Sequence, residues 1–153
     1  MAADILTIDP RWRRSFRDLT PEVKAVVRLT LKEVFPSRKD AGKRSLAIVF
    51  SNDAEVQKLN AQFRRKFAPT NVLAFPGDED GYLGDVILAY ETVKSEAAAQ
   101  SKSFRAHTLH LVVHGVLHIL GYDHEGEKAA KRMEKLEIKI LSRIAIANPY
   151  EAE

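Results

Sequence analysis

A chain of 153 residues with 45% hydrophobic and 29% charged residues suits one globular domain over 1–153, and no apolar run reaches the roughly 18 residues of a transmembrane helix. The absence of cysteine excludes disulfides and thiolate metal sites, fits a reducing cytoplasm, and leaves histidine and carboxylate groups as the strong metal ligands. The excess of 24 Lys and Arg over 21 Asp and Glu gives a net charge of +3, which is only a mild indication of a polyanionic partner.

The first half of the chain predicts alternating strands and helices. Residues 5–9 predict a short strand. Residues 20–35 predict a helix with Thr20 as its N-cap, because apolar residues recur there at three- and four-residue steps. The β-branched run 45–51 predicts a buried strand, and the polar residues after it predict a helix through about Lys66.

The second half predicts a hairpin followed by helices. Residues 71–77 and 82–90 are strand-like and are separated by the polar loop GDEDG. An Ala-rich helix follows, a second helix runs from Ser103 until Gly121 ends it, and residues 127–146 predict an amphipathic third. The order β-α-β-α-β-β-α-α-α predicts an α+β fold with a small mixed sheet of about four strands and about five helices.

The segment HGVLHILGYDH, residues 114–124, has the pattern of a metal site at the end of the central helix. His114 and His118 are four residues apart on a helix, so both imidazoles point toward the same side. Gly121 permits the turn that returns His124 toward the same ion. Three nitrogen ligands and an open fourth position are typical of one catalytic Zn²⁺ per chain, although nickel, cobalt and iron share this ligand preference.

Gly115 distinguishes this motif from the zinc proteases that share its histidine spacing. In those enzymes a glutamate after the first histidine moves a proton between water and the amine leaving group, and glycine cannot do so. A zinc ion that acts as a Lewis acid on a phosphoryl oxygen needs a partner cation instead, and arginine suits that geometry. Arg64 is the best candidate for that cation.

Other charged residues have two interpretations each. Asp123 either orients an imidazole or supports the turn before His124. His107 and His110 lie on the same predicted helix and could each stand behind a metal ligand, but their apolar neighbours favour ordinary, partly buried histidines outside the ligand set. Three basic clusters are typical of a solvated surface when taken singly, and together they would guide a polyanion: Arg11–Arg17, Lys39–Arg44 and Arg64–Lys66.

The blocks LNAQFRRKFAPTNVLAFP, LGDVIL and HGVLHILGYDH stand in this order from Leu59 to His124, and they resemble the YbeY family of bacterial endoribonucleases. The resemblance implies a single-domain metal-dependent hydrolase with single-stranded RNA as its substrate. It implies a family arginine at Arg64 and a further family position, close to the cleft, at Asp85. It also implies zinc ligands at His114, His118 and His124.

These observations support three hypotheses. The first is a cytoplasmic zinc-dependent endoribonuclease, with Arg64 and His114 as catalytic residues, that acts with the small ribosomal subunit in ribosomal RNA end processing and ribosome quality control. The second is a metal-dependent peptidase whose base comes from elsewhere, such as Asp123 or Asp85. The third is a ribosome-assembly factor without catalytic activity, in which zinc is structural. Water and the RNA 2′-hydroxyl both remain open as nucleophiles, and the sequence predicts no oligomeric state.

Overall fold

Four strands form one mixed sheet in the computed structural model, which describes residues 2–35, 37, 44–64 and 70–151, except for the side chains of residues 2, 63 and 64. The strands are β1 (Ala2–Thr7), β2 (Ser45–Ser51), β3 (Val72–Pro76) and β4 (Tyr82–Ala89). Their order across the sheet is β1-β2-β4-β3. β1 and β4 both run parallel to β2, and β3 runs antiparallel to β4. The predicted mixed sheet and hairpin are confirmed.

Six helices pack on this sheet in the described part of the chain. They are α1 (Arg11–Ser15), α2 (Leu19–Val34), α3 (Asp53–Arg64), α4 (Tyr90–Ala99), α5 (Phe104–Ile119) and α6 (Glu127–Ser142). Five of them were predicted, and the short α1 was not, because five residues are too few for a helical period to show. Tertiary contacts hold α1 in place, since Trp12 is fully buried and its Nε1 donates to the Ser51 carbonyl oxygen at 2.7 Å.

Two predicted boundaries are wrong in informative ways. The first strand ends at Thr7 instead of residue 9, because the amides of Ile8 and Asp9 both bond to the carbonyl oxygen of Phe50 and the chain turns there. Helix α2 begins at Leu19, so Thr20 is inside its first turn and is not the N-cap. The amides in the first turn of any helix have no acceptor within the helix. Beginning α2 at Leu19 instead of after Thr20 therefore loses few backbone hydrogen bonds.

Alternation along β4 divides the interior into two unequal parts. Val86 and Leu88 point into the main core, which includes α2, α5 and α6. Ile87 and Ala89 point to the other face, where they join a small cluster under α3. Helix α5 therefore lies between the sheet and the outer helices, which confirms a central helix. Among the described residues, no helix is both long and apolar enough to cross a membrane.

Candidate metal centre

The turn after α5 brings His124 back beside His114. Gly121 has a φ of 101°, a left-handed conformation that strains other residues. Its amide donates to the His118 carbonyl oxygen and the Tyr122 amide donates to the Leu117 carbonyl oxygen, both at 3.1 Å, which is the Schellman pattern of a helix end. The ring centroids of His114 and His124 are 4.7 Å apart as a result. The predicted helix end and the return of the third histidine are confirmed.

A buried glutamate completes a group of three possible metal ligands. One nitrogen of His114, one nitrogen of His124 and one carboxylate oxygen of Glu137 all lie within 4.8 Å of one another. Glu137 comes from α6 and is fully buried. Sequence reasoning missed it, although a signal was present: Glu137 occupies the apolar face of α6, four residues after Met133 and three before Ile140. A charged residue at such a position needs a partner inside the protein.

Three side chains supply those partners. His110 Nε2 donates to Glu137 Oε1 at 2.5 Å, and the Tyr150 hydroxyl donates to the same oxygen at 2.7 Å. His114 Nδ1 faces Glu137 Oε2 at 3.4 Å. Burial raises the pKa of Glu137, but these hydrogen bonds outweigh burial and bring its pKa down to about 2. The carboxylate is therefore ionised at neutral pH, and it favours the His114 tautomer that carries its proton on Nδ1 and leaves Nε2 able to bind a metal ion.

His118 lies one helical turn beyond His114. The two rings are nearly parallel, at 7°, and their centroids are 6.3 Å apart. The group of three possible ligands found among the described residues consists of His114, His124 and Glu137, whereas the sequence predicts His118 as the third ligand. His118 stays a predicted ligand, on the same side of α5 as His114.

Gly115 faces the sheet and is buried there. A Cβ atom at this position would lie 2.6 Å from Val86 Cγ1 and 3.2 Å from Val86 Cγ2. These distances are shorter than ordinary carbon contacts, so glycine is what lets α5 approach β4 this closely. The position that holds a glutamate in zinc proteases is therefore a helix–sheet contact in this chain, with no room for a larger side chain.

Comparison with known proteins gives this arrangement its context. A family model described as Endoribonuclease YbeY matches residues 12–145. The chain belongs to the YbeY family. It is 50% identical over 113 residues to Endoribonuclease YbeY of a Chelativorans strain, and the match covers 69% of each chain. It is 41% identical over 144 residues to Endoribonuclease YbeY of Sinorhizobium medicae, and the match covers 90% of this chain and 84% of the relative. The resemblance drawn from the sequence motifs is confirmed.

A solved structure shares the YbeY-like fold of the chain. The solution structure of a Thermotoga maritima protein aligns with a TM-score of 0.62 at 23% identity, over 99% of this chain and 97% of that one. At this identity the match concerns the fold alone. It covers nearly the whole length of both proteins.

The two aspartates singled out from the sequence, Asp85 near the cleft and Asp123 in the turn before His124, have local partners. Asp123 Oδ1 accepts a hydrogen bond from the Glu125 amide at 3.1 Å, so it supports the turn before His124. Asp85 shares the sheet face of Ile87, opposite α5, and accepts a hydrogen bond from the Tyr82 hydroxyl. Burial and this carboxylate raise the pKa of Tyr82 to about 12. Neither aspartate belongs to the three-atom group among the described residues.

The predicted basic residues differ in how far the structure describes them. Arg64 is the last residue of α3, and its side chain lies outside the described residues, as do residues 65–66 of the same cluster and residues 39–43 of the Lys39–Arg44 cluster. Arg11 in the N-terminal cluster forms ion pairs with Asp9 at 2.8 Å and with Glu91 at 3.0 Å. Arg11 thus anchors α1 and is not available as a free cation.

The two histidines that were left out of the predicted ligand set are both buried and both bonded to carboxylates. His107 Nε2 lies 2.9 Å from Glu96 Oε1, and burial lowers the pKa of His107 despite this neighbour. His110 shares Glu137 with His114. His110 therefore lies behind the metal centre, the alternative that its four-residue step before His114 left open, and neither histidine belongs to the three-atom group among the described residues.

Proposed function

We propose that this YbeY-family protein is a zinc-dependent endoribonuclease, a cytoplasmic hydrolase that cuts single-stranded RNA. We propose further that its substrate is ribosomal RNA, at an end of the small-subunit RNA, and that it contributes to ribosome quality control on that subunit. The observation that carries the proposal is the pair His114 and His124, held beside the buried Glu137. The relatives at 41% and 50% identity that are called endoribonucleases support the assignment to RNA.

The donor set fits a nitrogen-preferring divalent ion such as zinc. His114, His118 and His124 would hold the ion, and Glu137 would stand behind His114 as a hydrogen-bonded carboxylate. A bound zinc ion supplies Lewis acidity toward a phosphate oxygen and lowers the pKa of water. His124 is exposed and His114 is 24% exposed in its side chain, so the site opens to solvent, where a strand of RNA can reach it.

The chain's own residues would position the RNA and the ligands. Glu137 holds the His114 ring through Nδ1, while His110 and Tyr150 hold Glu137. The Arg64 guanidinium would bind two oxygens of the scissile phosphate and stabilise the charge that develops there. Gly115 offers no proton to the leaving oxygen of RNA, so the charge on that oxygen would be neutralised by water or a bound metal ion.

The Glu137→Gln variant is expected to bind zinc about 10- to 100-fold more weakly than the wild type, the range typical when a carboxylate behind a ligating histidine is lost. Glutamine keeps the shape of the side chain but loses the negative charge that two histidines share. Competition with a fluorescent zinc chelator measures the affinity. Thermal unfolding of the zinc-free proteins separates this effect from a loss of fold.

The matched control is Glu127→Gln, a glutamate on the exposed start of the same helix. It is expected to bind zinc as the wild type does. Equal zinc affinity of Glu137→Gln and the wild type would show that Glu137 does not support the metal ligands.

The Arg64→Ala variant tests the proposed reaction. It is expected to keep its zinc and to cut a labelled single-stranded RNA about 10²- to 10³-fold more slowly, the usual effect of removing a group that stabilises transition-state charge. Arg105→Ala, an exposed arginine on α5 paired with Glu22, is the control and should cut normally. Full-rate cleavage by zinc-free protein that has been purified from other nucleases would reject the proposal.

The ends of the RNA products identify the nucleophile. A 2′,3′-cyclic phosphate indicates attack by the neighbouring 2′-hydroxyl, whereas a 3′-hydroxyl without a cyclic product indicates attack by water. The assay uses a single strand of defined sequence and the same strand in a duplex. Cleavage of the duplex at the same rate would contradict single-strand specificity.

A further inference from the structure

A cleft of about 330 Å³ opens directly beside His114. It lies between α4, α5, the residue before β3 and the C-terminal segment around Tyr150. A larger cavity of about 1030 Å³ adjoins it and shares Tyr150, Pro149 and Gln100 as lining residues. The metal centre therefore continues into a cleft within the size range of small-molecule sites, and the proposed zinc chemistry alone does not account for it.

One part of the cleft wall is apolar and aromatic. Val72, Leu111 and Pro149 line it together with the ring of Tyr150. Tyr150 is 43% exposed although its hydroxyl is bonded to the buried Glu137. The bond holds one end of the side chain and leaves ring surface in contact with the cleft. An exposed aromatic ring that is fixed in this way is a surface on which a planar group stacks.

The polar groups of the cleft include two amides, a carboxylate, the imidazoles of α5 and Lys102, whose Nζ donates to the Pro149 carbonyl oxygen at 2.7 Å. Asn71 and Gln100 line it, and each amide offers both donors and an acceptor. The Asn71 amide nitrogen donates to Glu96 Oε1 at 3.0 Å, which directs its amide oxygen away from Glu96. Glu96 itself is held by His107 at 2.9 Å. The fixed Asn71 amide and Glu96 carboxylate, beside an aromatic wall, match the edge and the face of a nucleobase.

We propose that this cleft binds the unstacked nucleobase of the nucleotide next to the bond that is cut, with the base face on Tyr150 and the base edge at Asn71 and Gln100. The inference rests on the proposed function, because a phosphate at His114 brings the adjoining base to the mouth of the cleft. A base in a duplex is paired and stacked, so it cannot enter without leaving the helix. The cleft thus supplies a physical reason for the preference for single strands.

Abasic RNA tests the proposal without altering the protein. A series of single strands carries one abasic ribose, moved along the sequence through the mapped cleavage site. Zinc-loaded wild type is expected to cut the strand that lacks the base beside the scissile bond about 10-fold or more slowly, since base–aromatic stacking is of that magnitude. Strands with the abasic position four or more nucleotides away should be cut within about twofold of the intact strand.

Two variants of one residue separate the ring from its hydroxyl. Tyr150→Leu is expected to remove most of the difference between the intact and the abasic strand. Tyr150→Phe keeps the ring and should keep that difference, even if the lost bond to Glu137 weakens zinc binding. Gln100→Ala should change the preference among the four bases at this position, whereas Gln57→Ala, an exposed glutamine on α3, should not. Zinc content and thermal unfolding show which variants are intact.

A second readout does not depend on cleavage. Fluorescence anisotropy measures the binding of the same strands with methylated 2′-hydroxyls to the zinc-loaded wild type, and a gel run afterwards checks that the strands are uncut. The strand that lacks the adjoining base should bind about 10-fold more weakly. If the wild type cuts no RNA, the proposed function fails, and the binding measurement alone shows whether the cleft binds a base. If the wild type cuts intact and abasic strands at equal rates and binds them equally, the cleft does not bind a base, and the proposed function stands.

Discussion

The His114→Ala variant is expected to lose zinc binding and RNA cleavage together. His114 lies at the middle of the metal centre, since it faces His124, Glu137 and the base cleft. Its removal takes away one nitrogen ligand and also leaves Glu137 without one of its hydrogen-bond donors. Mutation of a residue that hydrogen-bonds a metal ligand typically lowers metal affinity roughly 10- to 100-fold. We expect the loss of the ligand itself to lower the zinc affinity by more than this, and RNA cleavage to fall to background. Zinc analysis after dialysis and a labelled-RNA assay measure the two effects.

Alanine favours the helix, so the fold of this variant should survive. The Arg105→Ala protein, altered on the exposed side of the same helix, should retain zinc and activity. A His114→Ala protein that keeps one tightly bound zinc per chain would show that His114 is not a ligand. If it also restored ribosomal RNA processing in cells, the assembly-factor hypothesis would take the place of the endoribonuclease.

The Gly115→Glu variant, which restores the protease motif, is expected to unfold the protein and to create no peptidase. The side chain would point into β4, where a Cβ atom alone would lie 2.6 Å from Val86 Cγ1. Placing a carboxylate there without a partner costs several kcal/mol, which is a large part of the stability of a domain of this size. Urea unfolding followed by circular dichroism measures the loss.

The Gly115→Ala variant tests the same contact with a smaller change. A buried overpacked methyl costs about 1–3 kcal/mol, and the better helix propensity of alanine returns up to about 1 kcal/mol. The double variant with Val86→Ala removes the opposing methyl groups, so the two costs should be less than additive. A stable Gly115→Glu protein that hydrolyses a peptide in a zinc-dependent manner would contradict the structural role of Gly115 and revive the peptidase.

Local patterns explain why much of the fold was predictable. The run 45–51 became β2 with the expected bounds, and Ser103 caps α5 by accepting a hydrogen bond from the Ala106 amide at 3.0 Å. Gly121 ends the same helix as expected. These features depend on residues a few positions apart, whose preferences a sequence displays directly. Helix α1 was not predictable in this way, because it is held by Trp12 packed against Phe50, far away in the chain.

The candidate site divides along the same line. The sequence by itself determined that His124 would return beside His114 at the end of one helix, because their spacing and Gly121 set this locally. His118, one turn further along, stays a predicted ligand. Only the tertiary structure decided that Glu137 stands behind His114, since the two residues lie 23 positions apart and meet through the packing of α6 on α5. The tertiary structure also explains why residue 115 is a glycine. Helix α5 packs against Val86 at this point, so a glutamate side chain has no space there.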